Sequence, residues 1–145
     1  FHPHAAILHS STSRGLGDVY KRQATITVAN GDTTGKETAV GIPANFIPMG
    51  VTVAVTTAST NSVTLNDIGT DADTDGYVDG ISPALNTTGF KGFFGCNGVL
   101  GMSGFTTASS GLVGDEVELV VSGDPGSDTV IVLKFFGISS SSDAS

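Results

Sequence analysis

The most constraining feature of this chain is the period of its apolar residues. Residues 51–57 read VTVAVTT, so Val51, Val53 and Val55 fall on one side of an extended chain while Thr52, Ala54 and Thr56 fall on the other. Side chains alternate across a strand, so a strict two-residue period buries one face and wets the other only in β-structure. The pattern recurs at 24–29 (ATITVA), with Ile26 and Val28 on one face. It recurs at 62–68, with Val63 and Leu65 inward, and at 116–122 around Val117, Leu119 and Val121. Residues 129–136 are nearly all apolar, which predicts a central strand covered on both faces. No stretch carries the 3.6-residue period of an amphipathic helix.

Turn residues divide these runs. Asn30-Gly31 tolerates positive φ at both central positions of a hairpin turn and predicts a return strand over 37–42. Pro43 and Pro48 follow, and neither can donate to a central ladder. Gly123-Asp124-Pro125-Gly126 supplies the turn of a C-terminal hairpin between 116–122 and 129–136. Short strands and frequent turns in a chain of 145 residues predict one all-β domain, an antiparallel β-sandwich of jelly-roll-like type, over 24–138. A domain of that size buries roughly two-thirds of its unfolded surface. It therefore needs no disulfide, and the single cysteine, Cys96, cannot form one internally. The Ser-rich residues 139–145 read as a flexible tail.

The N-terminal stretch stands apart. Residues 13–23, SRGLGDVYKRQ, resemble the translation in one frame of a transposase adapter used to build sequencing libraries. That resemblance implies that 1–23 is non-native and disordered, and it removes His2, His4 and His9, all the histidines of the chain. A genuine basic arm is the alternative. Without the segment, three lysines face thirteen of the fourteen acids, so the formal charge of -8 becomes more negative still. Such a chain is repelled by nucleic acid and by anionic membranes. No apolar run is long enough to span a bilayer.

A second irregularity is Gly89, Gly92, Gly95, Gly98, Gly101 and Gly104, one glycine every third residue. A collagen-like helix needs that period, but the run has no Pro and carries Phe90, Phe93, Phe94 and Phe105. Short, bent strands with close backbone approach are the other reading, with Asn97-Gly98 as a turn within them. Phe93, Phe94 and Phe105 exceed what a small core needs and are candidates for an apolar interaction patch.

One motif could carry chemistry. Asp71, Asp73, Asp75, Gly76, Tyr77 and Asp79 match the first nine positions of a helix-flanked calcium loop. Alternate residues of such a loop aim at one centre, glycine permits the sharp turn, and the carbonyl of Tyr77 would be a ligand beside the four carboxylates. Position twelve falls on Ser82, which offers no bidentate carboxylate. A calcium (Ca2+) site of the weak extracellular kind and a solvated turn both fit. A second acidic cluster, Asp115, Glu116 and Glu118, reads as the wet side of a strand whose other side is Val117 and Leu119. Asn86-Thr87-Thr88 fits a glycosylation triplet, which matters only in a secretory context.

Enzymatic readings find little. Once 1–23 is set aside, no histidine remains to activate Cys96 or a serine, or to bind zinc. No glycine-rich loop leads into the Lys-Ser/Thr of a phosphate cradle. An all-carboxylate glycosidase would need a stacking cleft, and the chain has no Trp. The expectation is a protein without catalytic residues.

Several stretches together resemble small structural proteins of marine tailed phages. They are residues 42–46 (IPANF), 49–58 (MGVTVAVTTA), 63–69 (VTLNDIG), 73–77 (DTDGY) and the closing apolar strand 130–136. The likeness covers most of 24–138, though the glycine run is not part of it. It implies a virion component, a head-decoration or tail-associated protein with a β-sandwich fold. Its partners would be capsid or tail proteins and sister copies in a homo-oligomer, with no catalytic residues, no nucleic acid and no membrane insertion. A calcium-stiffened module of a secreted bacterial adhesin or surface protein is the alternative.

Overall fold

A computed structural model describes residues 18–38, 40, 46–71, 73–96 and 116–139. Among the described residues there are seven strands: β1 (Asp18–Val28), β2 (Thr34–Glu37), β3 (Phe46–Thr57), β4 (Leu65–Gly69), β5 (Gly89–Gly95), β6 (Val117–Val121) and β7 (Thr129–Ser139). They build a four-stranded sheet ordered β1-β7-β3-β5 and a three-stranded sheet ordered β2-β6-β4, antiparallel throughout. The fold is the expected β-sandwich. Among the described residues no helix is long and apolar enough to cross a membrane.

Alternation decides what is inside. Ile26, Val51, Val53, Ile131, Leu133 and Phe135 line the inner face of the larger sheet, and Leu65, Ile68, Val117 and Leu119 that of the smaller. Each such side chain contributes about 1.5–3 kcal/mol on leaving water. Tyr77 and Leu85 enter the same core from loops, and the Tyr77 ring lies 5.1 Å from that of Phe135, tilted by 57°.

The two expected hairpins are not hairpins. The turn at Asn30-Gly31 forms, with the Asp32 N–H donating to the Ala29 carbonyl at 2.9 Å and Gly31 at φ 93°. The chain then crosses to the other sheet, where β2 pairs with β6 rather than with β1. It begins at Thr34, earlier than the expected 37–42. A Cβ on Gly35 would lie 2.6 Å from the Thr27 carbonyl oxygen, so glycine lets β2 close over the edge of β1. In the same way β6 and β7 belong to different sheets. Their connecting loop bonds to other loops: the Pro125 carbonyl accepts from the N–H groups of Thr60 and Asn61 at 3.0 and 2.9 Å. The Asp124 carboxylate accepts from those of Gly31 and Gly126, both at 2.8 Å. Turn chemistry reverses the chain; these cross-loop bonds decide which sheet receives it.

Strand β7 is central, between β1 and β3, but it is covered on one face only. Ile131, Leu133 and Phe135 are fully buried, whereas Val130, Val132 and Phe136 are half-buried and Lys134 is exposed. Pro48 lies inside β3, next to a bulge between Pro48 and Gly50. Strand β5 pairs with β3 only from Gly50 onward, so on that side no named partner requires the missing N–H.

Strand β1 begins at Asp18, so Asp18–Gln23 of the adapter-like string lie in the ladder, opposite Lys134–Ser139 of β7. Backbone hydrogen bonds accept nearly any extended sequence, which is why pairing reaches past the expected start at 24. The glycine run resolves into a bent strand over Gly89–Gly95. Gly89 and Gly92 have φ of 120° and 140°, and Lys91 is the extra residue of a bulge opposite Val53 and Ala54. Residues 1–17, Gly98, Gly101, Gly104, Phe105, Asp115 and 140–145 lie outside the described residues.

Candidate functional site

The aspartate motif is a turn laid on β4. After Gly69 the chain reverses, and Val78 bridges back to Ile68. The Ile68 carbonyl accepts from the N–H groups of both Tyr77 and Val78 at 2.9 Å. The Thr70 and Asp73 N–H groups each donate to the other's carbonyl at 2.9 and 3.1 Å, and that of Gly76 donates to the Asp73 carbonyl at 3.0 Å. A Cβ on Gly69 would fall into the backbone of Asp73 and Thr74, so the turn sits directly on the strand.

The carboxylates of this turn have different partners. Asp71 accepts from Lys36 Nζ of β2 at 2.7 Å, and that ion pair holds its carboxyl below the usual range. Asp73 is held above its usual range, chiefly by a hydrogen bond with Asp75. Tyr77 is buried in the core and Asp79 is exposed. Among the described residues no three His, Cys, Asp or Glu side chains gather so as to hold a metal ion.

The outer face of the smaller sheet instead gathers acids round an ammonium. Lys36 stands opposite Glu118 in the β2–β6 ladder and also lies 3.4 Å from Glu116 Oε2. Burial, and then the charge of Asp71, raise the Glu118 carboxyl. Glu116 and Glu118 do share the face opposite Val117 and Leu119, as their spacing predicts.

The outer face of the larger sheet has another character. Ladder register places Thr25, Val132, Ala54 and Phe90 in one row, and Gln23, Lys134, Thr52 and Phe93 in the next. Lys21, Phe136 and Gly50 follow. Phe90 is 69% exposed and Phe93 59%. The Phe93 ring lies over Gly50, where a Cβ would fall inside it, and 6.2 Å from the Phe136 ring at 52°. Phe94 turns the other way, half-buried against the core beside Val51. Of the three phenylalanines singled out by sequence, Phe93 is therefore outside, Phe94 packs inward, and Phe105 is not among the described residues. Phe90, Phe136 and Lys134 were missed, although a two-residue period through 130–136 sets Phe136 and Lys134 opposite Phe135. Burial pushes the Cys96 thiol up to about 12, so it is not poised as a nucleophile.

No protein-family model matches the sequence, and no curated protein is similar to it. A solved structure does share its fold. The chain is similar to one in the cyanophage Pam1 capsid asymmetric unit, with a TM-score of 0.50 and 17% identity over 84% of this chain and 85% of that one. At that identity the likeness is one of architecture.

Proposed function

We propose that this chain is a non-enzymatic structural protein of a phage virion. It works by binding the shell, sister subunits or both, as a decoration protein on the head. The carrying observation is the fold shared with a cyanophage capsid chain across most of both chains. The resemblance of its sequence motifs to small phage structural proteins points the same way. The exposed aromatic side chains on one sheet face supply a means of attachment that needs no chemistry.

The test is to locate the protein in particles of a phage that encodes it. The expected outcome is its recovery from purified virions by mass spectrometry, with antibody label spread regularly over the head. Label confined to the tail would assign it a tail-associated place instead. Its absence from purified virions would overturn the virion reading.

A further inference from the structure

Sheet faces open to water are normally polar, and the β1 side of the larger sheet obeys that rule with Gln23, Thr25 and Thr27. The β7, β3 and β5 side breaks it. Phe90 and Phe93 stand out from the surface, and Phe136 lies beside Phe93. Within this apolar ground sits Lys134, exposed, between Val132 and Phe136 on its own strand and in one row with Thr52 and Phe93. Among the described residues Lys134 meets no carboxylate, whereas Lys36 on the opposite face meets two. The rows from Lys21 to Thr27 contain no acid at all, in a chain whose formal charge is -8.

We propose that this face is the docking surface. Its occupant is a patch on another virion protein that is apolar at its centre and carries a carboxylate facing Lys134. The assignment rests on the virion reading above and names the attachment side and its partner's chemistry. Covering Phe90 and Phe93 removes apolar area from water, but it also desolvates the Lys134 ammonium. A buried charge is tolerated only when paired, so the partner must bring the counter-charge. A second copy laid face to face would bring two Lys134 ammonium groups into one apolar interface with no acid from either side. Single-stranded nucleic acid could stack bases on Phe90 and Phe93, but a strongly acidic chain repels a polyanion.

The test uses the full chain and virions of a phage encoding it from which its gene has been deleted. Wild-type protein, Phe93→Ser, Lys134→Glu and Lys134→Arg are each added, and cosedimentation with the particles is measured. Both altered side chains are exposed, and thermal melting checks that each variant folds. Wild-type and Lys134→Arg are expected to bind, with Phe93→Ser and Lys134→Glu weakened at least tenfold. Should Phe93→Ser fail to fold, the two Lys134 variants carry the test. Binding by Lys134→Glu equal to wild type would overturn the docking face and leave the virion reading standing. Wild-type protein that does not bind the particles would sink both. Two further results would each overturn the named partner. One is a wild-type dimer in sedimentation equilibrium that Phe93→Ser dissolves; the other is a fluorescent oligo-dT strand retained by wild type and released by Phe93→Ser.

Discussion

The two outer faces of the sandwich treat charge in opposite ways. On the smaller sheet Lys36 is held between Asp71 and Glu116 and stands across from Glu118, so that side supplies its one ammonium with acids of its own. On the larger sheet Lys134 sits among Val132, Phe93 and Phe136, and among the described residues it meets no acid. Among the described residues the lysine of one face is therefore paired within the chain and the lysine of the other is not. Net charge conceals this, because the same acidic total would result from either arrangement.

The largest expected difference lies within one strand. Phe135 and Phe136 are neighbours in β7, one fully buried and the other facing out. Phe135→Ala is expected to cost about 3–5 kcal/mol in urea unfolding, through lost burial and a cavity beside Tyr77. Phe136→Ala is expected to cost about 1 kcal/mol or less, as a half-buried surface side chain. Equal costs would mean that the outer face is as tightly packed as the core, and the contrast between the faces would fail.

The next difference concerns one glycine on each face. A Cβ on Gly69 would strike the backbone of Asp73 and Thr74, which is fixed by the hydrogen bonds of its turn. A Cβ on Gly50 would first strike the Phe93 ring, which can swing into water. Gly69→Ala should therefore cost on the order of 2–3 kcal/mol and Gly50→Ala clearly less. Melting curves of the two variants decide it, and a Gly50→Ala protein as unstable as Gly69→Ala would show that Phe93 is locked in place.

Lys36 and Lys134 should also part company. Lys36→Gln leaves Asp71, Glu116 and Glu118 without their shared cation. Its melting temperature should fall at low ionic strength and recover as salt screens the acids. Lys134→Gln should leave melting unchanged at either salt. The same geometry bears on calcium. Lys36 already occupies the position of a cation beside Asp71, so calcium at millimolar concentration is expected not to raise the wild-type melting temperature. A rise equivalent to about 1.4 kcal/mol is what a tenfold excess over the Kd would give, and observing it would support the calcium loop.

These contrasts show what the sequence could convey. The two-residue period reads out the buried set of each strand, because a side chain's face follows from its parity alone. The same parity separates Phe93 from Phe94, neighbours that composition had grouped as one patch. Sheet membership was not legible. Asn30-Gly31 and Asp124-Pro125-Gly126 reverse the chain, but bonds from Thr60, Asn61 and Gly31 to the 124–126 loop send the next strand to the other sheet. Those partners lie tens of residues away. The surroundings of the aspartate motif were hidden for the same reason. Its spacing is local, whereas Lys36, which claims Asp71, comes from a strand 35 residues earlier.

The smallest effects are two carboxylates with opposite signs. Asp124, at the loop end of the sandwich, accepts from the N–H groups of Gly31 and Gly126, and those bonds lower its pKa from 3.8. Its contribution is complete above 3.8 and disappears as pH falls through the depressed value, because the unfolded chain takes up the proton first. Asp124→Asn should thus be less stable than wild type near neutrality, with the gap closing in acid. Glu118 has its pKa raised from 4.5 by burial and by Asp71, so the folded chain holds the proton longer. Wild type then loses stability as pH rises from 4.5 through the raised value. Glu118→Gln should match wild type below 4.5 and gain on it above. Thermal melts from pH 2 to 7 read both gaps. If the Glu118→Gln gap had the same sign as that of Asp124→Asn, Lys36 would outweigh Asp71 and burial at Glu118, and the smaller sheet's face would be attractive at every one of its acids.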